Sequence, residues 1–150
     1  MKSTRTITTD VERPAGDVFA LLADLAGFPG WLDPSSTYRA TVRVSDNPVV
    51  KGTTYTDEIQ GMHLEGTVLE CEPDHLLVFH QARSDGRLAI TIRYELVPIA
   101  GGTRVVRTGE IVTGGLLAVL HPVVVSTTVK ENLRMMNRLK EHLEGGPGSD

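Results

Sequence analysis

Cysteine is nearly absent from this 150-residue chain, in which Cys71 stands alone. A single cysteine excludes a disulfide framework, an internal cysteine pair and a zinc site built from cysteines. An excess of basic residues is missing as well, because 15 Lys and Arg stand against 19 Asp and Glu and leave a net charge of −4. No basic field is available to attract a nucleic acid or an anionic membrane, so we predict neither as a partner.

Long hydrophobic runs are also missing. The most apolar segment, Leu116–Val125, contains His121 and Pro122 and is far shorter than the roughly 20 residues that cross a bilayer. Residues 1–10 lack the apolar core of a signal peptide. We therefore expect a protein of the reducing cytoplasm with no membrane span.

Several motifs of well-known chemistry do not occur in the sequence. It contains neither a glycine-rich loop that cradles phosphate nor a Gly-x-Ser-x-Gly nucleophile elbow. The five histidines include no pair that has ligand spacing together with a carboxylate. We predict neither a metal nor a cofactor.

The clearest pattern that is present lies in the segment Pro122–Leu143. Its apolar residues recur at steps of three and four and its other faces are charged, which predicts an amphipathic helix of roughly 30 Å. Pro122 suits the first turn, and Gly145 suits the end of the helix. The stripe that we expect to face the core consists of Val125, Val129, Leu133, Met136, Leu139 and Leu143. A stripe of this length needs a broad apolar partner.

The upstream segments supply that partner through their alternation of apolar and polar residues. Ser3–Glu12 predicts a strand, and the spacing over 15–26 predicts a helix, followed by a short element that carries Trp31. Further strands are predicted over 38–44, 53–60, 64–72, 75–82, 88–96 and 103–113. Strands joined by short turns are antiparallel. We therefore predict an α+β fold in which a curved antiparallel sheet of about seven strands wraps round the C-terminal helix, with one domain over 1–144 and a disordered tail over 145–150.

Short motifs at turns and at helix-packing positions point to a known superfamily. They are Val11-Glu12-Arg13-Pro14-Ala15, Asp17-Val18-Phe19, Asp24, Trp31, Gly66-Thr67-Val68, Glu72-Pro73, Gly101-Gly102-Thr103-Arg104-Val105 and Leu139-Lys140-Glu141-His142-Leu143-Glu144. With these motifs the chain resembles the START-like superfamily, also called helix-grip, SRPBCC or birch-pollen-allergen-like proteins, and in particular its polyketide cyclase/dehydratase-type branch. The resemblance extends over about residues 3–144. It implies an apolar cavity between sheet and terminal helix, in which members bind lipids, sterols, plant hormones, quinones or polyketides and some catalyse cyclisation, aromatisation or dehydration.

Asp57 is the most suggestive polar residue, because it shares a strand face with Tyr55 and Ile59. A carboxyl group in an apolar pocket has a raised pKa and is suited to general acid or base catalysis. Arg107 also has inward parity on its strand, so we predict an internal ion pair between Asp57 and Arg107. That pair is either structural or a device that orients a carbonyl or carboxylate group of a ligand.

His80 is a third candidate for catalysis, because it shares the parity of Leu76 and Val78 on its strand. The alternative interpretation is a histidine that is satisfied elsewhere or exposed. The residues that we predict to contact a ligand are Trp31, Tyr55, Ile59, Met62, Ile92, Tyr94, Thr128 and Asn132.

Three functions therefore stay open: a cyclase or dehydratase, a non-catalytic carrier or sensor of a small hydrophobic molecule, and a protein-interaction module of the heat-shock-ATPase-activator type. The last would need an exposed apolar patch on the outer face of the sheet. The side chains that we expect on that face are polar: Arg39, Thr41, Arg43, Thr91, Arg93 and Glu95. A small hydrophobic molecule is therefore the predicted partner, and the chain is expected to be a monomer or a homodimer.

Overall fold

The computed structural model, which describes residues 1–145, contains one antiparallel sheet of seven strands. The strands are β1 (Lys2–Val11), β2 (Tyr38–Val42), β3 (Thr54–Ile59), β4 (Met62–Glu72), β5 (Leu76–Ala82), β6 (Leu88–Ile99) and β7 (Gly102–Thr113). The helical elements are α1 (Ala15–Ala23), a 3₁₀ helix (Leu25–Gly30), a second 3₁₀ helix (Gly115–Leu120) and α2 (His121–Gly145). Apart from Gly145, the predicted disordered tail over 145–150 lies outside the described residues.

The strand order is β1-β7-β6-β5-β4-β3-β2, so each strand from β2 to β7 lies beside its neighbour in sequence and β1 closes onto the last one. All six pairings are antiparallel. Gly61 and Gly101 turn the chain with φ angles of +72° and +78°, a region that glycine adopts without steric strain. The sheet curls into a half-barrel around α2, which confirms the predicted α+β helix-grip fold.

The buried side of α2 differs from the predicted apolar stripe at one position. Val125, Met136 and Leu139 are buried as expected, whereas Leu133 is 46% exposed. The buried position is taken by the preceding residue, Asn132. Each residue turns a helix by about 100°, so a shift of one position moves a side chain from the core to the surface. The prediction that Leu133 faces the core was therefore wrong.

α1 and the 3₁₀ helix that follows it close one end of the sheet. Val18 and Leu22 of α1 are buried in the main core. The predicted helix over 15–26 ends earlier, at Ala23, and Asp24 then accepts a hydrogen bond from Gly27 N at 3.0 Å that begins the 3₁₀ turn. No helix within residues 1–145 has the length and apolar character that crossing a bilayer requires.

Candidate ligand cavity between the sheet and the C-terminal helix

A cavity of about 140 Å³ lies between the concave face of the sheet and α2. Strands β2 to β7 supply one wall, α2 supplies the opposite wall, and the first 3₁₀ helix supplies one end. The apolar and aromatic side chains of the lining are Leu25, Phe28, Leu32, Tyr38, Tyr55, Ile59, Leu64, Phe79, Ile90, Ile92, Tyr94 and Met135. A largely apolar cavity with a few polar groups is typical of small-molecule sites.

Asp57 projects from β3 into this cavity and is only partly accessible. The hydroxyl of Thr41, directly across the β2–β3 ladder, donates to Asp57 Oδ1 at 2.7 Å. Burial raises the pKa of Asp57 to about 6, while the Thr41 hydroxyl, the Gln81 side chain and the positive charge of Arg107 act in the opposite direction. Near neutral pH this carboxyl group therefore exists in both protonation states.

Arg107 projects from β7 into the same cavity and is buried. Its Nη2 donates to Asn132 Oδ1 at 2.8 Å, its Nη1 donates to the Tyr94 hydroxyl, and the Met135 sulfur lies 3.0 Å from Nη1. The guanidinium also stands 5.1 Å from the centroid of the Tyr94 ring. Its Nε is buried with no acceptor among residues 1–145. All of these partners are neutral, so the positive charge has no contact counterion in the described chain.

The predicted ion pair between Asp57 and Arg107 does not form. Among the described residues, no nitrogen of Arg107 lies within 4.0 Å of a carboxylate oxygen. Instead the Asp57 carboxylate accepts a hydrogen bond from Thr41, and the Arg107 guanidinium donates hydrogen bonds to Asn132 and Tyr94. The prediction of a direct pair was wrong because shared parity gives a shared face and not a distance. Neither charged group is therefore neutralised by direct contact with the other.

Aromatic rings form the floor of the cavity between the two charges. Tyr55 and Phe79 pack edge to face at 5.8 Å between centroids, and Phe79 packs in the same way against Tyr94 at 6.1 Å. The Tyr55 hydroxyl donates to Gln81 Oε1 at 2.8 Å. The Tyr55 ring lies directly across Gly66 of β4, where any Cβ would overlap it. Gly66 is thus needed for the position of the ring.

Four partly exposed residues of the cavity lining lie where α2 meets the segment 33–38: Thr37, Tyr38, Glu131 and Arg134. Glu131 of α2 accepts hydrogen bonds from the Ser35 hydroxyl and, at 3.2 Å, from the backbone N of Tyr38. Arg134 of α2 donates to the carbonyl of Asp33 at 2.8 Å and forms an ion pair with Glu131 at 2.9 Å. Polar contacts therefore fix this segment against α2 beside the cavity.

Eight of the predicted site residues line this cavity. They are Tyr55, Asp57, Ile59, Ile92, Tyr94, Arg107, Thr128 and Asn132. The Thr128 hydroxyl donates to the carbonyl of Val124 in its own helix at 2.8 Å, so this residue offers the cavity mainly a methyl group. Whether any of the eight contacts a ligand stays a prediction.

His80 does not line the cavity, and its predicted orientation is wrong. Phe79 and Gln81 of the same strand line it, and alternate side chains of a strand point to opposite faces. His80 instead shares a hydrogen bond of 3.0 Å with Thr91, its partner across the β5–β6 ladder. Apolar residues of β5 occur in both alternating sets of positions. The pattern of apolar and polar residues therefore could not predict which side of β5 faces the cavity.

Two further predicted ligand contacts lie elsewhere. Trp31 is buried in the main core, where its ring packs edge to face on Phe28 at 5.1 Å, and it is absent from the cavity wall. Met62 is partly buried against a second core cluster around Leu64 and Ile90. Both apolar side chains therefore support the walls and do not form the inner surface.

The sequence reasoning missed Thr41, which we expected on the outer face of the sheet. A bulge between Tyr38 and Ala40 shifts the register of β2 against β3, and a bulge moves later side chains to the opposite face. Gln81 was also missed, although a glutamine in an otherwise apolar strand is a signal of a buried polar contact. Glu131 offered no signal, since a charged residue on an amphipathic helix is usually exposed.

Comparison with known proteins gives this arrangement its context. The family described as polyketide cyclase / dehydrase and lipid transport matches residues 2–144. No curated protein matches the sequence significantly. Among solved structures, the di-domain ARO/CYC BexL from the BE-7585A biosynthetic pathway has a TM-score of 0.76 and 16% identity, over 97% of this chain and 51% of its own. The putative protein DynU16 from the dynemicin biosynthetic locus has a TM-score of 0.68 and 18% identity, over 95% of this chain and 48% of its own.

A norcoclaurine synthase point mutant from Thalictrum flavum, in complex with a transition state analogue, has a TM-score of 0.72 and 10% identity, over 95% and 94% of the two chains. Identities this low establish the fold alone. The chain spans about half the length of BexL and of DynU16. Because the family match extends over nearly the whole sequence, the chain belongs to the polyketide cyclase / dehydrase and lipid transport family, and this match confirms the predicted resemblance.

Proposed function

We propose that this chain binds a small apolar molecule with a ring and a carbonyl group, of the polyketide type, and catalyses its cyclisation, aromatisation or dehydration. The observation that carries the proposal is the separation of two charges in one apolar cavity. Asp57 and Arg107 both line it, and neither neutralises the other by contact. The family match and the biosynthetic origin of BexL and DynU16 support a polyketide-like ligand.

The dimensions of the cavity support a ligand that contains a ring. An apolar cavity of roughly 150 Å³ holds benzene, and the cavity here has about 140 Å³. One aromatic ring therefore fits against the edge-to-face row of Tyr55, Phe79 and Tyr94. A longer ligand would extend past the partly exposed lining residues beside the segment 33–38.

The two charged groups suit an aldol-type ring closure. The Asp57 carboxylate removes a proton from the carbon beside a ligand carbonyl, and the resulting enolate oxygen is stabilised by the Arg107 guanidinium. The enolate carbon then forms a bond to a second carbonyl carbon of the same ligand, whose C=O π bond breaks as its oxygen takes back the proton held by Asp57 and becomes a hydroxyl group. The regenerated Asp57 carboxylate removes a second α-proton and passes it to that hydroxyl group, which leaves as water while the ring double bond forms.

A model substrate tests binding and turnover separately. We choose a phenyl ketone whose carbonyl is joined to an acetyl group by three methylene carbons, because its aldol closure and dehydration give a phenyl-substituted cyclohexenone that absorbs in the ultraviolet. Binding is measured by quenching of the intrinsic fluorescence, and turnover is measured by absorbance and by mass spectrometry of the product. Because the pKa of Asp57 is about 6, base catalysis should rise with pH through this value.

The Asp57→Asn variant separates an enzyme from a carrier. Asparagine keeps the shape and the acceptor for Thr41 but cannot take a proton, so turnover should fall by about 10²–10⁴ while affinity changes little. His80→Gln is the matched control, because His80 lies on the outer face, and it should leave turnover unchanged. Saturable binding without turnover in the wild-type protein would overturn the catalytic part of the proposal and favour a carrier.

A further inference from the structure

Three side chains form a continuous line of hydrogen bonds from the edge of the cavity to its carboxyl group. The Tyr38 and Thr41 hydroxyl oxygens are 2.7 Å apart, and Thr41 Oγ1 is 2.7 Å from Asp57 Oδ1. The β2 bulge makes this line possible, since it lets Tyr38 and Thr41, three residues apart, both line the cavity. In an unbroken strand these two side chains would point to opposite faces.

All bonds of this line point toward Asp57. Thr41 has one hydroxyl hydrogen and donates it to the carboxylate. The bond between the two hydroxyl groups must then be donated by Tyr38 and accepted by Thr41 Oγ1. Each oxygen of the line thus holds a proton that it can pass inward to the next one.

The outer end of the line is Tyr38, whose backbone is fixed by polar contacts. Tyr38 is partly exposed, and its backbone N donates to Ser35 Oγ at 3.0 Å and to Glu131 Oε1 at 3.2 Å. Burial raises the pKa of Tyr38 to about 12. Its hydroxyl group therefore stays protonated near neutral pH and acts as a donor.

We propose that Tyr38 and Thr41 form a proton relay that exchanges protons between solvent and Asp57. The proposal rests on the proposed function, in which Asp57 gains and loses a proton in each cycle while the ligand fills the cavity. In the inward direction the carboxylate takes the Thr41 hydroxyl proton, Thr41 takes the proton of Tyr38, and Tyr38 takes one from water. The net change is one proton moved from solvent to Asp57, and the reverse sequence discharges it.

The test uses the ligand-free protein and requires no substrate. The carboxyl carbon of Asp57 is followed by ¹³C NMR through a pH titration, and relaxation dispersion at the midpoint gives the rate of proton exchange. Tyr38→Phe cuts the outer link and leaves the Thr41 bond in place, so the pKa of Asp57 should stay near that of the wild type. The exchange rate should fall by about tenfold, the effect of one lost hydrogen bond on the barrier.

Thr41→Val cuts the inner link and keeps the shape of the side chain. Because a hydrogen bond to the charged form lowers the pKa of a carboxyl group, this variant should raise the pKa of Asp57 by about one unit. Thr91→Val is the matched control, because the Thr91 hydroxyl bonds His80 on the outer face, and it should change neither quantity.

Two results would overturn the relay. An exchange rate in Tyr38→Phe equal to that of the wild type would mean that water reaches Asp57 directly. An unchanged pKa of Asp57 in Thr41→Val would mean that the inner bond is not formed in solution. Neither readout involves turnover, so failure of the relay is distinguishable from failure of the proposed function.

Discussion

Replacing Asp57 by asparagine should make the protein more stable at neutral pH. The pKa of Asp57 is about 6 instead of its ordinary 3.8, chiefly because of burial. A difference of about 2 units at 1.36 kcal/mol each corresponds to about 3 kcal/mol. Between pH 4 and 6 the folded state binds this proton more tightly than the unfolded chain, so stability falls as pH rises through that window. Below this pH window Asp57 is protonated in both the folded and the unfolded state, so no stability is lost. Above the window the full loss of about 3 kcal/mol is present.

Asparagine resembles the neutral acid and has no such pH dependence. At pH 4 the free energies of unfolding of Asp57→Asn and the wild type should agree within about 1 kcal/mol, since the buried carboxyl group is neutral at that pH and the amide keeps an oxygen acceptor for Thr41. At pH 8 the variant should be the more stable protein by about 3 kcal/mol.

Urea denaturation of both proteins at pH 4, 6 and 8 measures this difference. The pH-independent effects of the substitution cancel when the difference at pH 4 is subtracted from that at pH 8. A difference that stays constant over this range would refute the reasoning, because Asp57 would then titrate alike in the folded and unfolded states. A loss of stability at pH 8 would mean that the carboxylate stabilises Arg107 across the cavity more strongly than burial destabilises it.

Three further predictions follow from the packing. Gly66→Ala should lower the free energy of unfolding by about 1–3 kcal/mol because its Cβ would overlap a buried tyrosine ring, whereas Gly114→Ala, with no atom within 4 Å of the new Cβ, should have a smaller effect in the same urea titration. Leu139→Ala should lower the free energy of unfolding by about 2–5 kcal/mol, because the Leu139 side chain is 0% exposed. Leu133→Ala should lower it by less than about 0.5 kcal/mol, because Leu133 is 46% exposed. Equal losses in the two variants would contradict the orientation of α2. His80→Gln should leave the affinity for the phenyl diketone unchanged in fluorescence titrations. A loss of affinity would place the imidazole ring of His80 inside the cavity.

The strands whose alternation is clean were predicted together with their inner faces. Tyr55, Asp57 and Ile59 of β3 and Ile92 and Tyr94 of β6 all line the cavity, as their parity indicated. On β6 one parity is apolar or aromatic and the other is mostly polar, and on β3 Tyr55 and Ile59 mark the parity that Asp57 shares, so burial of one face leaves a single choice.

The inner face could not be predicted where that contrast is missing or the strand is irregular. In β5, apolar residues occupy both parities, and the cavity takes Phe79 and Gln81 while His80 faces outward. In β2, the bulge after Tyr38 reverses the alternation and turns Thr41 inward. A bulge adds one residue to a strand without a distinctive composition, so the sequence pattern does not reveal it.

The sequence by itself determined the antiparallel sheet, the long C-terminal helix, the family and the presence of Asp57 and Arg107 on inward faces. These follow from local periodicities of two and 3.6 residues and from turn motifs, which need no knowledge of distant contacts. Only the tertiary structure decided which groups meet: Thr41 with Asp57 across β2 and β3, and Asn132 with Arg107 between α2 and β7. Such pairings depend on strand register and on the rotation of the helix over the sheet, which are fixed by packing between elements far apart in the chain.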